Sequence, residues 1–511
     1  MPLFPVKLAP GLYMNSTEHS RKGRWADGER VRWHNDALEP IGGWQRMTDY
    51  SDTYIDALTA TPADETFRDG TSWLDNTGGR RYIFGSNDGL VILKTDETIE
   101  NVTPAGFVGS DNDPSTNTGY GSWIYGGHSY GTARPIDPDA VGDVFRWNFD
   151  TWGEDLIAGA ANPGFRDTLY LYDTSASPSA MTEITEAPDD INGFVVTDQR
   201  IIMTIGSDTE SRVVKWCDRE NYTDWTSTAT NWAGSYFLQG AGQLTSIKKV
   251  LNQILIISEK DAHVARFIGP PYIYGFDRVG ENCGAWSGQS VYVTDRFAMW
   301  PGRRTFWMYD GTLRPVECDI QDFLDNDVNH AQASKFWCMG VPSYNEIWWF
   351  YQSNGGTSVD SYVSFDYIKQ VWSKGRLSRT GGVDGESARN PIMIDGATQA
   401  LYEHELEGVN TPGASAKTGP MEVGMGDVNM AVQYIYPDSE DRGDAQYILR
   451  GKQFPTGSEV VAGPYGHTGE PIPTRIMARE ITLEVDGNDD ARWRVGHGIR
   501  LDIPTNKTGK R

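Results

Sequence analysis

At 511 residues the chain is too long for one ordinary domain and fits a large domain with a smaller companion. Its net charge of −25 argues against wrapping nucleic acid, which needs a basic footprint, and no apolar run reaches the ~18 residues that would span a membrane. The 18 tryptophans and 12% aromatic content stand beside only 38% hydrophobic residues, a balance that suits many short strands with a thin aromatic layer between them and polar loops at both ends.

Residues 1–50 read as an opening segment rich in tryptophan and arginine. Met1-Pro2-Leu3-Phe4-Pro5-Val6-Lys7 lacks the apolar core of a signal peptide. Val31-Arg32-Trp33 and Ala37-Leu38-Glu39 flank His34-Asn35-Asp36, which predicts a hairpin.

Residues 51–407 carry a repeat. Leu169 to Asp173, Val214 to Asp218, Phe306 to Asp310 and Tyr362 to Asp366 each close an apolar or aromatic run on aspartate, and His263 to Arg266 fills the gap with an arginine. A second marker keeps the same step: strand, tight polar turn, strand, with turns at Asp198-Gln199-Arg200, Asn252-Gln253, Asp295-Arg296 and Ser343 to Glu346. Recurrence at ~40–50 residues is the period of a four-stranded propeller blade. Fainter units extend outward: Tyr82-Ile83-Phe84 with the Asn87-Asp88-Gly89 turn and Leu90 to Lys94, then Asp155 to Ala158, and finally Ile392-Met393-Ile394 with Ala400-Leu401-Tyr402. The expected fold class is all-β, a β-propeller of six or seven blades with a smaller C-terminal antiparallel β domain. A stack of meanders or a β-sandwich also gives evenly spaced short strands and is the alternative.

Residues 107–142, between the first two units, form a long loop insertion of glycine, serine, asparagine and proline with Tyr120, Trp123, Tyr125 and Tyr130. It reads either as an adaptable partner contact or as a decoration packed on the propeller face. Residues 408–429 read as a linker. Residues 430–511 read as the smaller β domain, with strands at Met430 to Tyr436, Ala445 to Leu449, Arg475 to Val485 and Trp493 to Ile503. Ile320 to His330 is the best short helix candidate.

Catalytic motifs are missing: no nucleophile elbow, no H-E-x-x-H, no P-loop and no dinucleotide glycine pattern. The eight histidines show no metal-ligand spacing, and the oxygen-rich turns Asp111-Asn112-Asp113 and Asp486 to Asp490 lack a calcium loop's spacing. No catalytic, cofactor or metal residue is therefore assigned, and the expectation is a protein that is not an enzyme. The strand-end aspartates fit Asx-turns. Ser86-Asn87-Asp88-Gly89 resembles the aspartate-box turn of sialidases but lacks its tryptophan. Cys217, Cys283, Cys318 and Cys338 show no paired spacing and read as free packing thiols of a chain folded in a reducing cytoplasm.

Three stretches carry a family resemblance. Arg30 to Asn35 followed by Glu39-Pro40-Ile41-Gly42-Gly43-Trp44 resembles the opening of the tail nozzle proteins of short-tailed bacteriophages, also described as packaged-DNA stabilisation or tubular tail proteins. Asn87 to Leu93 with Ile99 to Pro104 resembles that family's first blade. Trp493-Arg494-Val495-Gly496, Arg500-Leu501-Asp502 and Gly509-Lys510-Arg511 resemble its closing strands.

The resemblance implies a structural protein of the virion tail, folded in the host cytoplasm. It would form a homo-oligomeric ring, usually a hexamer, below the portal and adaptor proteins, continuing the channel for double-stranded DNA and carrying fibres or a needle. The DNA would pass without sequence-specific binding, and no membrane insertion by this chain is expected. Arg475, Arg479, Arg492, Arg494 and Arg500 stand out in so acidic a protein; Arg475 and Arg479 are the candidate inter-subunit contacts, with ordinary exposed strand charges as the plainer reading. The rival is a glycan-binding or glycan-hydrolysing propeller of a tail appendage, which would gather carboxylates and arginines in one pocket. A monomeric scaffold propeller is a third reading.

Overall fold

The computed structural model describes residues 3–47, 65–94, 99–110, 143–160, 169–175, 180–207, 210–385, 390–406, 408–409, 411–423, 428–440, 445–466, 471–487, 493–504 and 509–510. Most of the 107–142 loop, including Tyr120, Trp123, Tyr125 and Tyr130, and Arg492 lie outside them.

Seven four-stranded antiparallel sheets follow one another along the chain. The innermost strands are Phe67–Leu74, Trp147–Trp152, Gly193–Val196, Leu244–Val250, Tyr292–Val293, Trp337–Val341 and Arg379–Val383. Each packs beside the innermost strand of the next sheet, and Arg379–Val383 packs on Phe67–Leu74, so the ring closes. The protein is therefore a β-propeller, and the blade number is seven. At the closure an added Cβ on Gly381 would sit 2.2 Å from the Arg68 carbonyl oxygen, so only glycine lets blade 7 meet blade 1 this closely.

Both sequence markers fall at fixed places in a blade. The polar turns join the first and second strands of blades 3 to 6, and the closing aspartates end the third strands of blades 2, 3, 5 and 6. Asp173, Asp310 and Asp366 accept backbone N–H groups two residues on, as Asx-turns do; Asp218 instead accepts Trp232 N–H.

The tryptophans knit the blades together. Trp147 of blade 2 donates its indole N–H to Ser86 O of blade 1 (2.7 Å), Trp73 of blade 1 to Glu154 O of blade 2 (3.1 Å), and Trp337 of blade 6 to Arg379 O of blade 7 (3.0 Å). These three rings thus fill the space between blades while their one polar atom stays satisfied.

Blade 7 takes three strands from its own place in the chain (Arg379–Val383, Ile392–Asp395, Leu401–Leu406), while its outermost strand is Gly43–Arg46. The opening segment is therefore not a unit of its own. Its earlier strands join the C-terminal part: Leu3–Pro5 pairs with Arg500–Asp502, Arg24–Glu29 with Ser415–Thr418, and Ala37–Pro40 with Arg494–Val495. The stretch read as a linker carries the strand Ser415–Thr418, which lies between Arg24–Glu29 and Glu480–Gly487. The second domain is mixed, because Ala9–Leu12 runs parallel to Arg24–Glu29.

The single strand expected over Arg475 to Val485 is two, Ile472–Ala478 and Glu480–Gly487, which belong to different sheets. Trp493 to Ile503 likewise divides into Arg494–Val495 and Arg500–Asp502. The predicted hairpin at His34 forms, with Asn35 and Asp36 both at positive φ (47° and 60°), the type I′ geometry that matches strand twist. The short helix spans Gln321–Asp327. Among the described residues no helix is long and apolar enough to cross a membrane.

Candidate functional site

Two regions concentrate chemistry: a clasp where the opening segment enters blade 7, and the channel on the propeller axis. The clasp centres on Arg32, 2% exposed, on the first strand of the hairpin, Val31–His34. Its guanidinium donates to both oxygens of Glu405 in blade 7 (2.5 and 2.8 Å) and to Glu346 Oε2 in blade 6 (3.0 Å), with Tyr344 covering its face at 3.7 Å. Burial opposes the guanidinium's charge, but Glu346 and Glu405 outweigh it and raise its pKa. Two carboxylates share one cation, so burial and the second negative charge push the Glu346 carboxyl up despite Arg32. Trp348 Nε1–H and Gly42 N–H supply further donors.

Beside this triad the chain runs through Gly42-Gly43-Trp44. An added Cβ on Gly42 would lie 2.4 Å from Glu405 Cα, and one on Gly43 would lie 2.2 Å from Val409 O. Trp44 then stacks on buried His404 (centroids 5.5 Å apart). Burial and neighbouring Arg379 hold that imidazole well below its usual pKa, and its Nε2 accepts from Arg379 Nε (3.0 Å). Arg379 also reaches Asp395 (2.8 Å). The R-x-R-W and P-I-G-G-W stretches are thus the parts that shut the ring.

The channel is stitched across. Asp69 of blade 1 accepts from Arg146 Nε (2.9 Å), Arg146 Nη2 (2.6 Å) and the Trp147 N–H (2.8 Å). The same guanidinium donates to Arg68 O, Ser334 O and Phe336 O, joining blades 1 and 2 to the turn that leads into blade 6. Gln289, at the start of blade 5, donates to Trp147 O and Asn148 Oδ1 of blade 2. Two polar cavities of about 240 and 310 Å³ flank these crossings, with Lys248 in the walls of both. They have room for a small molecule, not a duplex.

Carboxylates and arginines therefore do gather at the axis, and Asp69, Asp150 and Asp384 are each tied into the fold. Asp150 accepts the Val196 N–H (2.8 Å) and faces Lys249 (3.4 Å). Asp384 accepts the Gly340 N–H (3.0 Å); burial pushes it up to about 6, against the pull of that hydrogen bond and of Lys248.

Arg475 and Arg479 sit at the edge of the second domain. Arg475 is exposed on the edge strand Ile472–Ala478, and Arg479 follows it, half-buried. Neither has an ion-pair partner among the described residues. Arg494 lies 3.8 Å from Glu39 and donates to His34 O, within the chain, while Arg500 is exposed.

Sequence reading missed an aromatic face on blades 3 and 4. The hairpin of Asp261–Gly269 and Ile273–Glu281 overhangs blade 3, with Tyr236 stacked on Phe276 (4.6 Å) and Phe267 beside Trp232 (5.7 Å). Tyr236, Phe237, Phe267, Ile268 and Tyr272 are all exposed there. The one signal was Pro270-Pro271-Tyr272 at a strand end.

No family model matches the chain, and no curated protein matches it. Among solved structures, the WD40 domain of Neurospora crassa Pan2 is similar at 9% identity and a TM-score of 0.41, over 71% of this chain and 96% of that one. Virginiamycin B lyase from Staphylococcus aureus is similar at 8% identity and a TM-score of 0.37, over 68% and 97%. Exo-β-1,3-galactanase from Phanerochaete chrysosporium is similar at 7% identity and a TM-score of 0.25, over 70% and 95%.

Proposed function

We propose that this chain is the subunit of a tail nozzle ring of a short-tailed bacteriophage, a structural protein that continues the DNA channel, retains packaged DNA and permits its ejection. The observation that carries the reading is the meeting of its family-like ends. Ala37–Pro40 of the opening stretch pairs with Arg494–Val495 of the closing one through Leu38 and Val495, and the same opening stretch clasps blade 7. Segments separated by nearly the whole chain thus act as one structural part. The third stretch closes the edge of blade 1, where Leu90 N–H donates to Thr103 Oγ1 (3.0 Å) and Val102 N–H to Leu90 O (3.0 Å).

The stitched axis bears on mechanism. DNA would pass through a lumen enclosed by several copies, with the propeller of each as a rigid wall element. A ring repeats each subunit's acidic surface about one axis, and a like-charged wall keeps a duplex from adhering. Particles assembled without this chain should package DNA and then lose it; particles that keep their genome would count against the proposal.

The exposed rings of Tyr236, Phe237 and Tyr272 give the glycan-binding propeller of a tail appendage its support, since flat aromatic faces suit sugar stacking. That reading predicts saturable binding to a glycan array, lost when Tyr236 and Tyr272 are replaced by alanine.

A further inference from the structure

Met421 and Ile481 exchange both backbone hydrogen bonds of an antiparallel bridge (2.8 and 3.0 Å). Glu422 and Glu480, which flank that bridge, therefore stand opposite each other, two like charges where a cross-strand pair favours opposite ones. Above them a short 3-10 turn, Glu18–Arg21, brings in His19, whose Nε2 lies 3.3 Å from Glu480 Oε1. Ligand atoms of His19, Glu422 and Glu480 all lie within 4.8 Å of one another.

The three residues come from distant parts of the chain, and the turn that carries His19 is held in place. Arg21 donates to Met14 O (2.6 Å) and Ser16 O (3.1 Å), and Gly419 presses so closely that a Cβ would lie 2.0 Å from Arg21 O. Glu480 is 7% exposed and pairs with His19, while Lys452 stands opposite it on the neighbouring strand and bonds Glu18. His19, Glu422 and Glu480 thus offer one nitrogen and two carboxylates that converge from three separate segments of the chain.

We propose that His19, Glu422 and Glu480 bind a divalent first-row transition metal, a zinc-type set of one nitrogen and two carboxylates with water completing the tetrahedron. The ion would fasten the opening segment to the second domain. Zinc–ligand bonds of ~2.0–2.2 Å place tetrahedral donors about 3.4 Å apart. His19 and Glu480 already stand at that spacing, and rotation of the Glu422 side chain closes the remainder. Lys22 holds Glu422 Oε1 (2.5 Å), leaving the other oxygen for the metal. The plainer arrangement is two separate ion pairs, His19–Glu480 and Lys22–Glu422, with no metal.

The two differ in a direct test. Full-length protein is stripped with EDTA, dialysed, and titrated with zinc chloride by calorimetry, with thermal melting followed in parallel. The proposal expects one zinc per chain and a melting temperature raised by zinc, as a ligand of the folded state must raise it. His19→Ala should weaken zinc binding at least about tenfold, and Glu480→Gln should do the same. Because the readout is the zinc-dependent increment, a lower starting stability in either variant does not confuse it. No zinc uptake by the wild type, or uptake unchanged in His19→Ala, would overturn the assignment.

Discussion

Arg32 and Glu405, 373 residues apart in the chain, form a buried two-pronged ion pair that ties the opening hairpin to the last blade. Removing one partner of such a pair strands the other's charge in the interior, at a cost of roughly 3–5 kcal/mol. Arg32→Ala should lower stability by that amount in denaturant unfolding. A loss under about 1 kcal/mol, the range of an exposed pair, would mean that the triad does not hold the clasp.

The glycines beside it make a steric prediction. Gly43→Ala drives a methyl against the Val409 carbonyl and Gly42→Ala drives one against the Glu405 backbone, so each should cost about 1–3 kcal/mol. Gly466→Ala, whose added methyl meets nothing within 4 Å, should stay within about 0.5 kcal/mol of wild type. Equal effects at the three sites would contradict the packing.

Asp384 makes the channel sensitive to pH. Its folded pKa of about 6 lies above the ordinary carboxylate value of 3.8, so between these values the folded chain binds more protons than the unfolded one. Stability from this group is full below the ordinary value and is lost as pH rises through 6. Measured against Asp384→Asn, the wild type should lose about 3 kcal/mol between roughly pH 4 and 7. A flat difference across that window would show that the carboxylate is solvated.

All four cysteines are free thiols, and burial raises Cys217 to about 12 and Cys283 to about 11. Native protein should react slowly with a thiol reagent, and unfolded protein without reductant should titrate four thiols per chain. Fewer than four would reveal a disulfide.

The edge arginines are a test of assembly. Neutralising Arg475 and Arg479 together should weaken ring formation, measured as the share of chain incorporated into tails, with the melting temperature unchanged. Unchanged incorporation would remove them from the interface.

Legibility in the sequence followed distance. Turns such as Asp198 to Arg200 and strand ends such as Phe365-Asp366 are local, so the repeat showed a propeller without tertiary knowledge. The fourth strand of blade 7 was hidden because Gly43–Arg46 lies at the opposite end of the chain from its partner Leu401–Leu406. Gly42-Gly43-Trp44 was visible as a motif, but its reason, close approach to Glu405 and Val409, exists only after that pairing. The same holds for Arg146, which crosses the channel to Ser334 and Phe336, and for His19 beside Glu480. In neither case does sequence spacing bear on the contact. Arg475 to Val485 reads as one strand because apolar and polar residues alternate on both sides of Arg479, but the phase slips by one there, from Ile476 and Ala478 to Ile481, Leu483 and Val485, and that slip is the change of sheet.

The most direct measurement is cryo-electron microscopy of intact and DNA-ejected particles, with this chain located in the map. The account predicts a ring of seven-bladed propellers around the distal channel, with DNA in the shared lumen before ejection and a wider lumen after it. Finding the chain only on peripheral appendages, or DNA density on a propeller's own axis, would contradict it.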